Sequence, residues 1–126
     1  MKEIIAIVRM NKVNETKKAL ADIGICSLHA IKVMGRGKMQ VNFSVLDSLG
    51  VQEEIGGIIA DGLAKGSRLI PKRLLTILVQ DGEANKVVDT IIKVNKGGNK
   101  GDGKIFIAPV IDAVRVRTGE RGKEAI

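Results

Sequence analysis

The chain carries one pattern of secondary structure twice, and this repeat limits the folds that are open to it. Each half begins with an apolar run that predicts a strand, continues with a helical spacing of apolar residues, and ends in a second strand. The predicted elements are a strand over 2–9, a helix over about 12–23, a strand over 27–34, a strand over 74–79, a helix over about 83–96 and a strand over 104–110. This order indicates an α+β, ferredoxin-like split βαβ fold (βαββαβ), with both helices on one face of an antiparallel sheet.

The ends of these elements carry residues that commonly start or stop them. Asn11 is the predicted N-cap of the first helix, and Gly24 ends that helix. Pro109 indicates an edge strand or a bulge, because proline cannot donate to a sheet ladder. We predict a fifth, short strand over 112–117 and a polar, mobile tail over 118–126. With 126 residues, the whole chain (1–126) is expected to form one domain.

The first and third predicted strands are apolar on both faces. Residues 4–8 are all apolar, and residues 74–79 contain only Thr76 as a polar side chain. In an antiparallel sheet whose helices lie on one face, the other face is normally polar. Because nothing else in the chain clearly covers that face, we predict self-association through it.

A long segment between the two halves, at about 37–71, lies outside the repeat. Connections longer than roughly 15 residues are usually functional or disordered. Ile55, Ile58, Ile59 and Leu63 stand at helical spacing, but glycines among them weaken a helix by about 1 kcal/mol each. Two interpretations stay open: an arm that docks on a partner, which we favour, and a small helical insertion packed on the body.

The composition narrows the class of protein. The net charge of +7 indicates an anionic partner. Nucleic-acid binding is a minor alternative, because Phe43 and Phe106 are the only aromatic residues and single-strand binders stack bases on aromatic rings. No apolar run is long enough to span a membrane. The one cysteine, Cys26, excludes an internal disulfide and favours the cytoplasm, and we predict it to be a small core residue.

A glycine-rich loop before the fourth strand carries the strongest chemical signal. Residues 98–104 satisfy G-x-x-x-x-G-K, the start of the P-loop pattern, in which backbone N–H groups bind phosphate. The match then fails, because Ile105 stands where a Ser or Thr should hold the metal ion and a strand follows where a helix should. The chain is therefore not a P-loop nucleotidase, and a plain glycine-rich connection is the competing interpretation.

Further basic residues favour a nucleotide-phosphate site over a plain connection. The turn Gly35-Arg36-Gly37-Lys38 is a second glycine-rich basic loop. Arg115 and Arg117 share one face of the predicted fifth strand, where two arginines repel each other unless an anion lies between them.

The sequence shows no catalytic constellation. His29 is the only histidine, so a histidine metal cluster is impossible, and no metal-ligand spacing is present. The carboxylates are scattered apart from Glu53-Glu54. We therefore predict that the protein is not an enzyme, and a small nucleotide hydrolase of the same fold is the alternative.

Several motifs resemble the PII nitrogen-signalling family. They are Gly-Asp-Gly-Lys-Ile-Phe at 101–106, Arg-x-Arg-Thr-Gly-Glu at 115–120, the start Met1-Lys2-x-Ile4-x-Ala6-Ile7 and the Gly35-x-Gly37 turn. The resemblance covers about 1–38 and 74–126. It implies a ferredoxin-like trimer whose sheets pack at its centre, ATP or ADP in the three clefts between subunits, and 2-oxoglutarate with Mg-ATP beside a long mobile T-loop at about 37–71.

The resemblance also implies roles for individual residues. The residues implied to bind ATP or ADP are Ile7, His29, Gly35, Gly37 and Lys38 on one side, Gly101, Asp102, Gly103 and Lys104 at the phosphates, and Arg115 and Arg117 from the neighbouring subunit. Lys72 is the implied 2-oxoglutarate contact. Gln40 is a second one, because the position of the family's glutamine holds Met39 here. Mg²⁺ is expected to bind through ATP and not at a protein metal site.

The long T-loop and the Gly-Arg-Gly-Lys turn resemble the nitrogen-fixation subgroup of the family. This implies a cytoplasmic regulator that binds nitrogenase in response to ammonium and 2-oxoglutarate. It would act as a homo-trimer or as a hetero-oligomer with a paired PII-like protein, without nucleic acid or membrane insertion. The alternative is a regulator of an ammonium transporter or of glutamine synthetase.

Some positions depart from the family pattern. Thr76 and Gly97 replace an acidic residue and a Thr or Ser that are common there. Because the chain has no tyrosine, regulation by tyrosine uridylylation is excluded. The serines available for phosphorylation in the T-loop are Ser44, Ser48 and Ser67.

Overall fold

The computed structural model describes residues 1–37 and 69–126. Its elements, in chain order, are β1 (Lys2–Val8), α1 (Val13–Asp22), β2 (His29–Gly35), β3 (Ile70–Val79), α2 (Ala84–Asn95) and β4 (Gly103–Pro109). The strands form one antiparallel sheet in the order β2-β3-β1-β4. The predicted α+β, ferredoxin-like fold is confirmed. Most of the predicted T-loop, with Lys38, Gln40 and the helical spacing over 55–63, lies outside the described residues.

The core lies between the helices and one face of the two central strands. Alternate residues of β1, Ile4, Ala6 and Val8, are fully buried because successive side chains of a strand point to opposite faces. Their neighbours on β3 include Ile77 opposite Ile4 and Leu75 opposite Ala6. The helices close this core with buried residues at the predicted spacing, namely Val13 and Leu20 of α1 and Val87 and Ile91 of α2.

The two helices begin differently from one another. Asn11, the predicted N-cap of α1, lies inside a short 3₁₀ turn and caps nothing. Before α2, Gln80 and Glu83 form a reciprocal capping box, in which each side chain bonds the other residue's backbone. The helices also share a buried polar contact that the sequence analysis missed. Asn95 Nδ2 donates to Thr16 Oγ1 over 3.0 Å.

The face of the sheet opposite the helices is apolar, as predicted. Ile5 and Ile7 of β1 lie on it, beside Leu74 of β3, and Ile31 and Phe106 on the outer strands are about half exposed. We name this surface the open face. Self-association through it stays a prediction.

The structure corrects the prediction for the C-terminal residues. The fifth strand over 112–117 is wrong, since only an isolated bridge joins Val114 to Arg121. The tail is folded, because Asp112 accepts hydrogen bonds from Arg121 and the Gly122 backbone, and Gly122–Ala125 form a 3₁₀ turn. We call residues 112–126 the C-terminal turn.

Cys26 is also placed differently from the prediction. Its side chain is exposed in the connection between α1 and β2, whereas the sequence analysis placed it in the core. The positions that face the core nearby are taken by Ile25 and Leu28, which pack against the buried cluster.

Candidate functional site

Four strand ends meet at one end of the sheet. Lys32, Arg73, Val8 and Gly103 form one row across β2, β3, β1 and β4. Just beyond this row lie the Gly35 turn, the first residues of β3 and the glycine-rich loop over 97–103, which we call the Gly101 loop. We name this end of the molecule the loop end. The register of the sheet therefore places both predicted glycine-rich loops at the same end of the molecule, although they adjoin opposite edge strands, β2 and β4.

Asp102 folds the Gly101 loop from within. Its Oδ2 accepts hydrogen bonds from the backbone N–H groups of Gly97 over 2.7 Å and Asn99 over 3.2 Å. Its Oδ1 pairs with Arg9 Nη2 at 3.3 Å. The Gly97 hydrogen bond in the first place, then Asn99 and Arg9, lowers the pKa of Asp102 below its usual value. The Asp102 side chain therefore stabilises the loop, and its carboxylate acts within the loop and not as a contact for phosphate.

This arrangement makes the loop sensitive to acid. Because the folded-state pKa of Asp102 lies below its ordinary value of 3.8, the carboxylate stabilises the loop above that pH. The stabilisation is lost as the pH falls through the lowered pKa. We expect an NMR titration of the Asp102 carboxyl carbon to give a midpoint below 3.8, accompanied by faster amide exchange at Gly97. In the Asp102→Asn variant this acid step should be missing; an acid step that persists there would assign the transition to another group.

Gly103 is required where the Gly101 loop meets β1. Its φ of +136° lies in a region that side chains rarely adopt, and a Cβ there would overlap with the carbonyl oxygen of Ile7. Gly101 has a φ of +92°, and a Cβ on it would lie 3.5 Å from Arg9 Nη2. The close approach to β1 therefore requires glycine at 103, whereas glycine at 101 is favoured by its positive φ alone.

Two cationic side chains converge on the carbonyl oxygen of Gly101. Lys72 Nζ donates to it over 2.7 Å and Arg9 Nε over 3.3 Å, while Arg9 Nη2 donates to the carbonyl of Lys100. Burial first, and then the nearby Arg9, lowers the pKa of Lys72, and Asp102 opposes this. Two cations held this close, with one carboxylate beside them, form a site that an added anion would stabilise.

Arg9 is the residue that the sequence analysis missed. It stands alone after β1, in no motif, and its partners Lys100 and Gly101 are 91 and 92 residues away in the chain. No pattern in the sequence pointed to Arg9, because its contact follows from the pairing of β1 with β4, in which Val8 lies opposite Gly103. Lys72, which the family resemblance singled out, lies two residues inside the start of β3 and reaches the same loop.

Some of the other predicted residues gather near this loop, and others do not. Ile7 and Lys104 are direct cross-strand neighbours on the open face. His29 lies on β2, at the opposite edge of the sheet from β4, so roughly 14 Å of sheet separates it from the Lys104 strand. Within the part of the chain that the structure describes, nothing lies within 4 Å of a Cβ placed on Gly35 or Gly37. Lys38 and Gln40 lie outside the described residues.

Arg115 and Arg117 lie at the other end of the sheet from the Gly101 loop. The chain leaves β4 beside its own first residue, where Val110 N donates to the Met1 carbonyl. The C-terminal turn stays there, since Gln80 Nε2, just after β3, donates to the Lys123 carbonyl. A strand of seven residues such as β1 spans roughly 23 Å. Within one chain, these arginines therefore do not share a site with Lys104.

A cleft of about 370 Å³ lies beside the Gly101 loop, between α2 and β4. Its walls are mainly apolar, and Val88, Ile92 and Ile107 contribute to them. Asp102, Gly103 and Lys104 line it from the loop. Within 1–37 and 69–126, no three metal-binding side chains cluster, and neither α1 nor α2 is long and apolar enough to cross a membrane.

Comparison with known proteins gives one consistent family. Residues 1–120 match the family model "Nitrogen regulatory protein P-II". A "Nitrogen fixation nifHD region GlnB-like protein 2" from Methanobacterium ivanovii is 46% identical over 131 residues, covering 100% of this chain and 99% of the relative. "Nitrogen regulatory protein P-II 2" from Methanothermobacter thermautotrophicus is 40% identical over 128 residues, covering 100% and 97%.

A solved structure shares the fold over nearly the whole chain. The crystal structure of Arabidopsis thaliana PII bound to citrate superimposes with a TM-score of 0.72 at 30% sequence identity. The match covers 98% of this chain and 87% of the Arabidopsis chain. Citrate is a carboxylate, and it is the ligand that the description of that structure names.

Proposed function

The chain belongs to the nitrogen regulatory protein P-II family, and from this premise we propose that it senses ATP or ADP together with 2-oxoglutarate and controls nitrogenase by direct binding. Proteins of this family are signalling regulators and not enzymes. The chain is therefore a regulator of nitrogen metabolism, and the small-hydrolase alternative is set aside.

The Gly101 loop is the proposed phosphate site. Its glycines allow close approach of the backbone, and Lys104 follows them on the open face beside Ile7. Asp102 acts by shaping this loop through Gly97 and Asn99. The Mg²⁺ ion is proposed to arrive bound to the phosphates of ATP.

Lys72 and Arg9 are the proposed site for a carboxylate of 2-oxoglutarate. Both already donate to the carbonyl oxygen of Gly101, and a bound carboxylate would replace this neutral acceptor with a charged one. The lowered pKa of Lys72 reports an environment that favours an added negative charge. Gln40, the other expected contact, is part of the same proposal. Because the Gly101 loop lies beside both proposed sites, the binding of ATP should alter the affinity for 2-oxoglutarate, and the reverse.

The observation that carries the proposal is the division of the predicted residues between two ends of the sheet. Lys104 and the Gly101 loop lie at the loop end, whereas Arg115 and Arg117 lie at the other end, near Met1 and Gln80. One chain therefore holds two halves of an anion site that it cannot close by itself. We propose that a second copy, or a paired PII-like chain, completes the site across the apolar open face, as a trimer.

The proposed target and location rest on the relatives and on composition. Relatives are named after a nitrogen-fixation gene region, which supports nitrogenase over an ammonium transporter or glutamine synthetase as the target. The segment over about 37–71 is the proposed docking arm, and it is proposed to adopt two arrangements. The ligands would favour one arrangement because they bind it more tightly than the other. The single cysteine supports a cytoplasmic location.

Calorimetry with ATP, with and without 2-oxoglutarate, tests the function. We expect ATP to bind and 2-oxoglutarate to strengthen that binding. The Lys104→Ala variant should weaken ATP binding at least roughly tenfold, because it removes a charge-assisted contact with phosphate. Its mass in solution should equal that of the unaltered protein.

Lys100→Ala is the matched control for this variant. Lys100 lies in the same loop and carries the same charge, but only its backbone carbonyl takes part in the contacts around Gly101. Equal weakening by both variants would mean that general charge attracts ATP. No ATP binding by the unaltered protein, or no synergy with 2-oxoglutarate, would defeat the proposed function.

A further inference from the structure

Arg115 is held by its own chain before any ligand arrives. Its Nη1 donates to Glu120 Oε2 in an ion pair, and its Nη2 donates to the carbonyl of Glu124 over 2.8 Å. The side chains of Arg115 and Glu120 are about two-fifths exposed or less, so water screens this pair only in part. A guanidinium carries N–H donors on three nitrogens, so this clamp leaves other donors free for an anion.

Glu120 is itself held in position. The Thr118 hydroxyl donates to Glu120 Oε2 over 2.8 Å, and the backbone N–H of Arg115 donates to the Glu120 carbonyl over 2.9 Å. Gly119 closes the turn between them, with a φ of +72° and its N–H donating to the Arg115 carbonyl over 2.7 Å. The carboxylate therefore sits on a closed loop of the chain and not on a free side chain.

We propose that Glu120 is a positioning residue for nucleotide binding: it fixes the guanidinium of Arg115 so that the free N–H donors face the phosphates of a nucleotide bound by a neighbouring subunit. This inference rests on the proposed function of Arg115. Fixing a long side chain in advance removes rotamer entropy that binding would otherwise cost. Arg117 differs from Arg115 in its burial, since Arg117 is exposed and Arg115 is partly buried.

The proposal and simple electrostatics predict opposite effects of Glu120→Gln on ATP affinity, so one measurement distinguishes them. A carboxylate near an anion site repels the anion, so removing its charge should tighten ATP binding if charge alone matters. If Glu120 positions Arg115, Glu120→Gln should weaken ATP binding roughly tenfold, because an ion pair becomes a weaker hydrogen bond from the guanidinium to a neutral acceptor. Glu120→Asp keeps the charge but shortens the reach, and it should also weaken ATP binding.

The experiment is calorimetry of the assembled full-length protein with ATP and with adenosine. Adenosine lacks phosphates, so its affinity should not change in Glu120→Gln. In the Arg115→Ala background, the same Glu120→Gln change should have no further effect on ATP, because Glu120 acts through Arg115. Thr118→Val removes the hydroxyl that orients the Glu120 carboxylate, and it should weaken ATP binding by about two- to threefold. This variant tests the proposal if Glu120→Gln fails to assemble.

Glu124→Gln is the matched control in the same turn. The backbone carbonyl of Glu124 accepts from Arg115, its side chain is exposed, and the substitution changes the net charge equally. It should leave ATP affinity within about twofold of the unaltered protein. ATP binding that is unchanged or tighter in Glu120→Gln, or weakened equally by Glu124→Gln, would overturn the role of Glu120 while nucleotide binding stands. Failure of the unaltered protein to bind ATP would instead remove the proposed function and this inference with it.

Discussion

Gly103→Ala is expected to lower the free energy of unfolding by roughly 3 kcal/mol and the melting temperature by on the order of 10 °C. Two costs add at this position. The φ of +136° is strained for alanine, and the new Cβ would overlap with the Ile7 carbonyl oxygen, so β1 and β4 must move apart. Because the backbone has no flexible end to give way, little of the clash can be relieved. Thermal and denaturant unfolding at a fixed protein concentration measure this effect.

Gly98→Ala separates the clash from the conformational strain. Gly98 has a φ of +77° in the same loop, but nothing lies within 4 Å of a Cβ placed on it. We expect it to cost only about 1 kcal/mol. If both substitutions cost the same, the close approach of Gly103 to β1 would have no energetic role. Because the Gly103 backbone also forms the proposed phosphate site, ATP binding should fall with Gly103→Ala and stay nearly unchanged with Gly98→Ala.

Lys72→Met is expected to abolish the synergy between ATP and 2-oxoglutarate. The change keeps an unbranched side chain of similar length and removes the charge that donates to Gly101. A charge-assisted hydrogen bond to a carboxylate contributes about 1.5–3 kcal/mol, so the affinity for 2-oxoglutarate should fall at least roughly tenfold. ATP affinity measured without 2-oxoglutarate should stay within about twofold. Titration of 2-oxoglutarate into protein saturated with ATP checks both statements.

Lys32→Met controls for the loss of one positive charge. Lys32 lies on β2, opposite Arg73, and its side chain is exposed. It should leave the synergy intact, because the proposed contact needs a lysine beside Gly101 and not a general positive potential. Retained synergy in Lys72→Met would show that the 2-oxoglutarate site lies elsewhere and would leave the phosphate site untouched.

The elements of the fold were predictable because their apolar periodicity is strong. Ile4, Ala6 and Val8 alternate as a strand does, and Val87 and Ile91 follow the helical spacing, so element types were right. The start of β3 was placed four residues too late. Of its first four residues, the last three (71–73) are proline or basic, yet they pair with β2 through the backbone. Backbone pairing depends on the neighbouring strand and leaves no trace in side-chain pattern.

The fifth strand shows the opposite error. Residues 114–117 alternate apolar and basic side chains, as a strand would. However, Asp112 accepts hydrogen bonds from the Arg121 side chain and the Gly122 backbone. Gly119 and Gly122, both with positive φ, then fold the chain back on itself. Local turn chemistry outweighed the alternating pattern there. The same turn produced the Arg115–Glu120 contact, which a strand assignment would have excluded.

The fold class, the glycine-rich loop and the family could be predicted from the sequence, because each of these depends on patterns of residues that are close together in the chain. The meeting of Arg9 and Lys72 at Gly101, and the position of Arg115 at the far end of the sheet, could not be predicted in this way. Those contacts link residues as many as 92 positions apart. They depend on strand order and register, which arise from packing of the whole sheet and not from any local spacing.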